Sequence, residues 1–275
     1  MERRRKPGSE VKISVVTISY NQAPFLEQAI RSITGQGYAE LEYIVVDPGS
    51  IDGSRDIIER YRDRIATVVY ELDNGPADGL NRGFSRATGD VLGFINADDT
   101  LLPGALEKVA AYFRRNPQVD AVCGCGFIVD ESGKATRRII PTRFSKRLFV
   151  YGAVTLFQQG VFFRRSAFLG TKGFNPENRT CWDGELFLDM AGNGRRFGIL
   201  FENIAAFRIY DGSISGSGRL AESYRNDIDR LVVKALGRPM DYRDKLLAIL
   251  YRLEKWLTNP RATLARIMMA VGKAG

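Results

Sequence analysis

The chain reads as an α/β fold with a mostly parallel central sheet, helices on its faces and a helical C-terminal extension. Short apolar runs alternate with segments of helical period, as in strand-helix-strand units. Two adjacent carboxylates, Asp98 and Asp99, follow one of these runs, at the strand end where an open α/β sheet presents ligands. Near the C-terminus, Leu246, Leu250, Leu253 and Leu257 recur at spacings of four and three, which is an amphipathic helix.

In chain order, the apolar runs at 11–18, 41–46, 65–71 and 90–95 are predicted strands, and the segments at 24–34, 53–62 and 76–88 predicted helices. Pro24 and Pro103 suit a first helical position, where a missing N–H costs nothing. A helix over 103–115 follows, then a strand-rich stretch over 120–140 with Glu131-Ser132-Gly133-Lys134 as a hairpin turn. Further strands are expected at 161–164, 197–201 and 205–209, and a helix at 183–191. No internal repeat or low-complexity linker interrupts the pattern. The expected division is a basic, flexible N-terminus (1–10), a catalytic body (11–215) and a basic amphipathic helical region (216–275).

With 275 residues, 44% hydrophobic and 26% charged, the composition is that of an ordinary globular protein with a sizeable core. No apolar run approaches the ~20 residues of a membrane span, and the Arg/Lys-rich N-terminus lacks the apolar segment of a secretory signal. A cytoplasmic location is expected. Cys123, Cys125 and Cys181 have no zinc-like spacing and read as small buried thiols. The absence of histidine removes Ser-His-Asp and Cys-His catalysis and imidazole metal sites, leaving carboxylates as the acid/base and metal-binding groups. The net charge of +8 is concentrated at the ends. From Arg219 onward twelve Lys/Arg face six acids, and Arg3, Arg4, Arg5 and Lys6 form a second cluster. That distribution, without an aromatic-studded basic groove, argues against nucleic acid. Lys245, Arg252 and Lys255 border the leucine stripe, with Ile249 and Trp256 on its side; after Pro260 come Leu264, Ile267, Met268 and Val271. Two readings stand: helices packed on the body, or an interfacial membrane foot at the inner face of the cell membrane. A homodimer is compatible with either.

The carboxylates at 98 and 99 suit a hard cation and the phosphates it neutralises. Thr17-Ile18-Ser19-Tyr20-Asn21 and Asp47-Pro48-Gly49-Ser50-Ile51-Asp52-Gly53-Ser54 end the first two strands, so they open at the same edge. Asp47 follows an apolar run and must find donors. A ribose hydroxyl or nucleobase N–H would serve, as would the amides of its own turn. Asp52 reads as a helix cap before Ser54.

In sequence and order, these segments resemble the inverting family 2 glycosyltransferases of the GT-A fold. The resemblance spans most of residues 12–215 and rests on Val16 to Asn21, Val45 to Ser54, Asp78-Gly79-Leu80-Asn81-Arg82-Gly83, and Gly89-Asp90 running into Asn96-Ala97-Asp98-Asp99. It implies a Rossmann-like sheet with a nucleotide-diphospho-sugar across the strand ends. Asp47 would lie near the base, Thr17 and Asn21 near base and ribose with Tyr20 between them, and Asp78 and Asn81 along the donor. Asn96-Ala97-Asp98 looks like the family's Asp-x-Asp motif with asparagine first, which implies Asp98 as ligand of Mg²⁺ or Mn²⁺, supported by Asp99. Trp182-Asp183-Gly184-Glu185 resembles the segment that carries the catalytic base, implying Asp183, with Glu185 second; Trp182 would stack on an acceptor sugar or belong to the core. Gln158 and Tyr210 stand where relatives often have histidine, and Arg208 or Tyr210 would reach the diphosphate.

The expected activity is inverting transfer of a sugar from a nucleotide-diphospho-sugar, with a UDP-sugar favoured, to a hydroxyl of a glycan or lipid-linked acceptor in cell-surface polysaccharide or glycoconjugate synthesis. The rivals are a catalytically silent sugar-nucleotide or glycan-binding module and a nucleotidyltransferase.

Overall fold

The structure, a computed structural model, describes residues 10–258. The basic cluster at residues 3–6 and the apolar segment after Pro260 lie outside the described residues.

The first half alternates strands and helices: β1 (Ile13–Ile18), α1 (Ala23–Thr34), β2 (Leu41–Val46), α2 (Ser54–Arg60), β3 (Thr67–Val69), α3 (Pro76–Arg86) and β4 (Val91–Asn96). The four strands pair in parallel in the order β3-β2-β1-β4. Ile18 stands opposite both Val46 and Asn96, so β1, β2 and β4 end level and their following loops converge at one edge. The third run is a shorter strand than 65–71, because its ladder to β2 covers only three residues. Gly83 seats α3 on the sheet: a Cβ there would come within 2.5 Å of Val16 Cγ1 and 3.1 Å of Val46 Cγ2.

The second half comprises β5 (Thr100–Leu101), α4 (Ala105–Arg115), β6 (Ala121–Val129), β7 (Ala135–Ile139), α5 (Lys146–Val150), β8 (Val161–Arg164), α6 (Arg165–Leu169), α7 (Trp182–Gly192), β9 (Phe197–Arg208), α8 (Ile214–Ser217), α9 (Ala221–Leu236) and α10 (Tyr242–Thr258). Pro103 does not open α4; the helix starts after Gly104, whose φ of +72° suits glycine. Beyond β4 the order continues β8-β6-β9-β5, with β7 branching from β6. Here only the β6–β9 pairing is parallel, so the sheet is mixed, with its longer ladders parallel as expected and shorter antiparallel ladders joining its second half. For β6 and β7 the reason is connectivity: a tight turn forces antiparallel neighbours, and the two strands are joined through the expected turn at 131–134. There Asp130 Oδ1 accepts the Ser132 hydroxyl and the Lys134 amide. The strands expected at 197–201 and 205–209 are one strand, β9. A register shift opposite Gly124 and Cys125 pairs Leu200 and then Asn203, leaving Phe201 and Glu202 as a bulge.

The core is aromatic between α3, β4 and α7. Phe84 stacks on Phe174 at 5.6 Å, and Phe94 and Phe174 meet Trp182 at 5.5 and 5.6 Å. All three cysteines are free and buried, as expected. No described helix is long and apolar enough to cross a membrane.

Candidate active site

The level strand ends open a cavity of about 570 Å³. Ser19, Tyr20 and Gln22 enter it after β1, Pro48 after β2, Leu72 and Asp73 after β3, and Asn96, Ala97 and Asp98 at the end of β4. The second half adds Trp182 from the opening of α7, and Phe207, Tyr210, Ser213 and Arg219 from β9 onward. This is the crevice that the strand order requires.

At the adjoining ends of β1 and β4, two buried polar atoms lack protein partners: Ser19 Oγ and Asn96 Oδ1. Buried oxygens are rarely left so, and both residues line the cavity, which marks the corner as a seat for a polar ligand. Burial raises the Asp98 carboxyl above its ordinary range, against the Arg208 charge nearby. Asp99 differs. It is 1% exposed, its Oδ1 accepts the Arg208 amide (2.9 Å), and its Oδ2 accepts Gln159 Nε2 (2.9 Å) and Asn96 Nδ2 (3.2 Å). Burial and the Asp98 charge push it well up. Asp99 therefore fastens β4 to β9 and to Gln159, and it is not placed to support a metal.

Several motif residues fasten loops instead of entering the cavity. Asp47 is fully buried, and its carboxylate accepts the Gly49 and Ser50 amides, the Ser50 hydroxyl and Arg55 Nε. Of the two readings for Asp47, the geometry supports its own turn. Asp52 accepts the Ser54 amide, as a cap would, and also the Ala23 amide that opens α1. Thr17 is buried, with the Tyr43 hydroxyl donating to its Oγ1. Asn21, at φ 52°, donates its amide to Ser50 Oγ and accepts the Ile51 amide on Oδ1, joining the first two loops. Asn81 holds Phe174 through both ends of its amide, at 2.7 and 2.9 Å. Asp78 accepts the Asn74 amide and pairs with Arg82 at 3.4 Å. Arg208, 2% exposed, donates to the carbonyls of Asp98, Asp130 and Glu131 and to Gln28 Oε1, and lies over the Phe25 ring. With four of its five N–H donors taken and its side chain buried outside the cavity lining, Arg208 serves as a tie between loops instead of a diphosphate ligand. Gln158 donates to the Phe94 carbonyl (3.2 Å), and Tyr210 lines the cavity.

The two acids of α7 separate. Asp183 is half-buried, its Oδ1 accepts the Gly184 amide at 2.7 Å, and burial pushes its carboxyl up to about 6. That suits a proton acceptor near neutrality. Glu185 is 4% exposed. Burial would raise it, but hydrogen bonds from Arg230, Asn178 and Lys234 prevail and hold it down at about 2. It ties α7 to α9, at 2.7 Å to Arg230 and 3.0 Å to Lys234, and is unsuited as a base. Removing a partner from a buried pair costs about 3–5 kcal/mol; with Arg230 and Lys234 each 42% exposed, Glu185→Gln is expected to cost about 2 kcal/mol at pH 7. Because the folded pKa lies below the ordinary 4.5, this stability is present above pH 4.5 and is lost as pH falls toward 2. Thermal melts of both proteins across that range should converge at the acid end.

Ser19, Gln22, Asp73, Ser213 and Arg219 also line the cavity and escaped the sequence-based assignment. Asp73 had a signal: like Asp47 and Asp98, it is an acid just beyond a parallel strand. Its carboxyl is raised by burial, despite the Gly75 amide. Arg219 is exposed and makes no ion pair among the described residues. Only the return of the chain after β9 brings it to the strand ends.

Comparison with known proteins agrees with this geometry. The chain is 33% identical over 179 residues to the putative glycosyltransferase EpsE of Bacillus subtilis, covering 63% of each chain. Across the first curated relatives, the match spans from about a third to just under two thirds of their length. Residues 1–349 of Staphylococcus aureus TarS in complex with UDP-GlcNAc superpose with a TM-score of 0.66 at 18% identity, covering 90% of this chain and 73% of that one. The mannosyltransferase PcManGT from Pyrobaculum calidifontis, in complex with GDP-Man and Mn²⁺, gives 0.63 at 18% identity over 98% of this chain and 81% of that one. The shared fold is GT-A. Residues 14–173, more than half of the chain, match the model of "Glycosyl transferase family 2", and the chain belongs to that family.

Proposed function

We propose that this chain transfers one sugar from a nucleotide-diphospho-sugar, a UDP-sugar, to a hydroxyl of a glycan or lipid-linked acceptor, by a single displacement with inversion, in cell-surface polysaccharide or glycoconjugate synthesis. The observation that carries this reading is the corner at the end of β4, where Asp98 and the unpartnered oxygens Asn96 Oδ1 and Ser19 Oγ meet one cavity. The cavity is of the size that encloses a small organic ligand. The sugar nucleotides bound by TarS and PcManGT support a donor of this class, and the Mn²⁺ of PcManGT supports a divalent cation.

The residues fit such a cation. Asp98 and Asn96 offer hard oxygens, Asp99 is withdrawn, and no cluster of three acids, cysteines or histidines exists among the described residues, so phosphate and water would complete the shell. Bound there, Mg²⁺ or Mn²⁺ would neutralise charge on the departing diphosphate. Asp183, poised at about 6, takes the proton of the acceptor hydroxyl as its oxygen bonds to the anomeric carbon and the sugar–phosphate bond breaks. Trp182, next to this base in the chain, lines the cavity while packing on Phe94 and Phe174, Tyr20 flanks the donor, and the Arg219 cation lies by the cavity to meet phosphate charge.

The test is a panel of sugar nucleotides with Mg²⁺ or Mn²⁺, read by nucleoside diphosphate release and by donor-dependent thermal stabilisation. Both are expected for at least one UDP-sugar. Binding without release would favour a silent module, and pyrophosphate release from a nucleoside triphosphate would favour a nucleotidyltransferase.

A further inference from the structure

Helix α10 has two apolar faces. Leu247, Ala248 and Tyr251 pack against Val150, Tyr151 and Val232, with Tyr251 stacked on Tyr151 at 5.1 Å. On the same side, Asp244 is buried, accepting the Tyr151 hydroxyl and pairing with Arg238 at 2.5 Å. At 100° per residue, Leu246, Ile249, Leu250 and Leu253 form a stripe on the opposite side. Each is 56–60% exposed, with Tyr242 at 67% above them. A helix already seated on its domain has no folding reason for a second contiguous aliphatic face, and such a patch marks an interaction site. Trp256 and Leu257, on the same stripe in sequence, have side chains outside the described ones.

Charge identifies what covers it. Arg243 and Lys245 are exposed beside the stripe, whereas Asp244 is turned to the domain, Asp241 pairs with Arg238 at 3.7 Å, and Glu254 is the one acid that follows in the sequence. The following residues, 259–275, add Arg261, Arg266 and Lys273 and no acid. A second copy meeting this face about a two-fold axis would set the same cations against each other. An anionic surface would neutralise them.

We propose that the outward face of α10 docks on an anionic lipid surface, with Leu246, Ile249, Leu250 and Leu253 entering the boundary between headgroups and acyl chains and Arg243 and Lys245 meeting lipid phosphates. The contact lies along the surface, since no described helix could cross a membrane. It does not rest on the transferase reading. Through α9 and the Glu185 ion pairs it joins α7, whose first residue, Trp182, lines the cavity, so docking would hold that cavity at a set orientation to the surface.

The full chain should co-sediment with vesicles of phosphatidylglycerol and phosphatidylcholine, and about tenfold or more weakly with phosphatidylcholine alone or in high salt. Leu246→Glu with Leu250→Glu, at exposed positions, should lower vesicle binding about tenfold or more while leaving the melting temperature unchanged. Arg243→Glu with Lys245→Glu should weaken it by roughly fivefold per charge. The proposal falls if anionic vesicles do not bind the folded chain, or if the leucine double variant binds them as well as the parent. It also falls if light scattering finds a dimer that the double variant makes monomeric, for then a second copy covers the face. Sedimentation needs no sugar transfer, so its failure is distinct from failure of the donor panel.

Discussion

Asp183→Asn is expected to lower the rate of transfer about 10³-fold while leaving donor binding intact, since the substitution removes a general base and almost no volume. Only the ionised carboxylate accepts a proton. With the carboxyl at about 6, the parent rate should therefore fall tenfold per pH unit below 6 and level off above it. The variant's residual rate should lack that limb. Stability moves the opposite way. The folded carboxyl titrates above the ordinary 3.8, so the folded state binds the proton more tightly, and the parent loses stability as pH rises from about 4 to about 6. The amide side chain of the variant would carry no buried charge and could still accept the Gly184 amide, so the variant should melt no lower than the parent at neutral pH and above. A rate that keeps its acid limb in the variant would remove Asp183 from the role of base.

Asp98→Ala is expected to abolish metal-dependent donor stabilisation and to reduce transfer by about 10³-fold, through loss of charge stabilisation at the departing diphosphate. Asp98 and Asp99 are neighbours in sequence, and their substitutions should diverge. Asp98 carries a cost of burial, so its removal should leave the unliganded melting temperature unchanged or higher. Asp99→Ala would strand the Arg208 amide and the amide groups of Gln159 and Asn96, at about 1–3 kcal/mol for each buried donor left unpaired. Differential scanning with and without UDP and Mn²⁺ separates the two: loss of the ligand shift alone at 98, loss of the base melting temperature at 99. Equal effects at both positions would mean that the pair acts as one unit.

The first four strands and the edge at which they open were legible because they rest on local signals: apolar β-rich runs, helix-opening prolines and polar strand-end loops. The mixed half was less so. The 16-residue α9 lies in the region expected to be helical, but its bounds were not legible, since it buries only Leu231 and Val232 and its partners, α5 and α7, are far away in sequence. Among the site residues, Tyr20, Asn96, Ala97 and Asp98 meet at the cavity, whereas Asp47, Asn21, Asn81, Asp99 and Arg208 are spent on loops and strand ties. A motif records which polar residues crowd a strand end. It does not record which of them satisfy one another, and in a buried setting most must.

The sequence by itself determined the family, the α/β alternation and the strand-end position of the carboxylates, because each depends on residues close together in the chain. Tertiary structure decided the division of labour among those acids. Among the described residues, no side-chain donor bonds the carboxylates of Asp98 and Asp183, while Asp99 accepts the Arg208 main-chain amide and the Gln159 side chain, and Glu185 accepts Arg230 and Lys234, partners 45 to 109 positions away for the guanidinium of Arg230 and the amide of Arg208. Proximity of that range is created only by the assembled sheet and by α9 folding back, and it fixes which carboxylates are tied to side-chain partners.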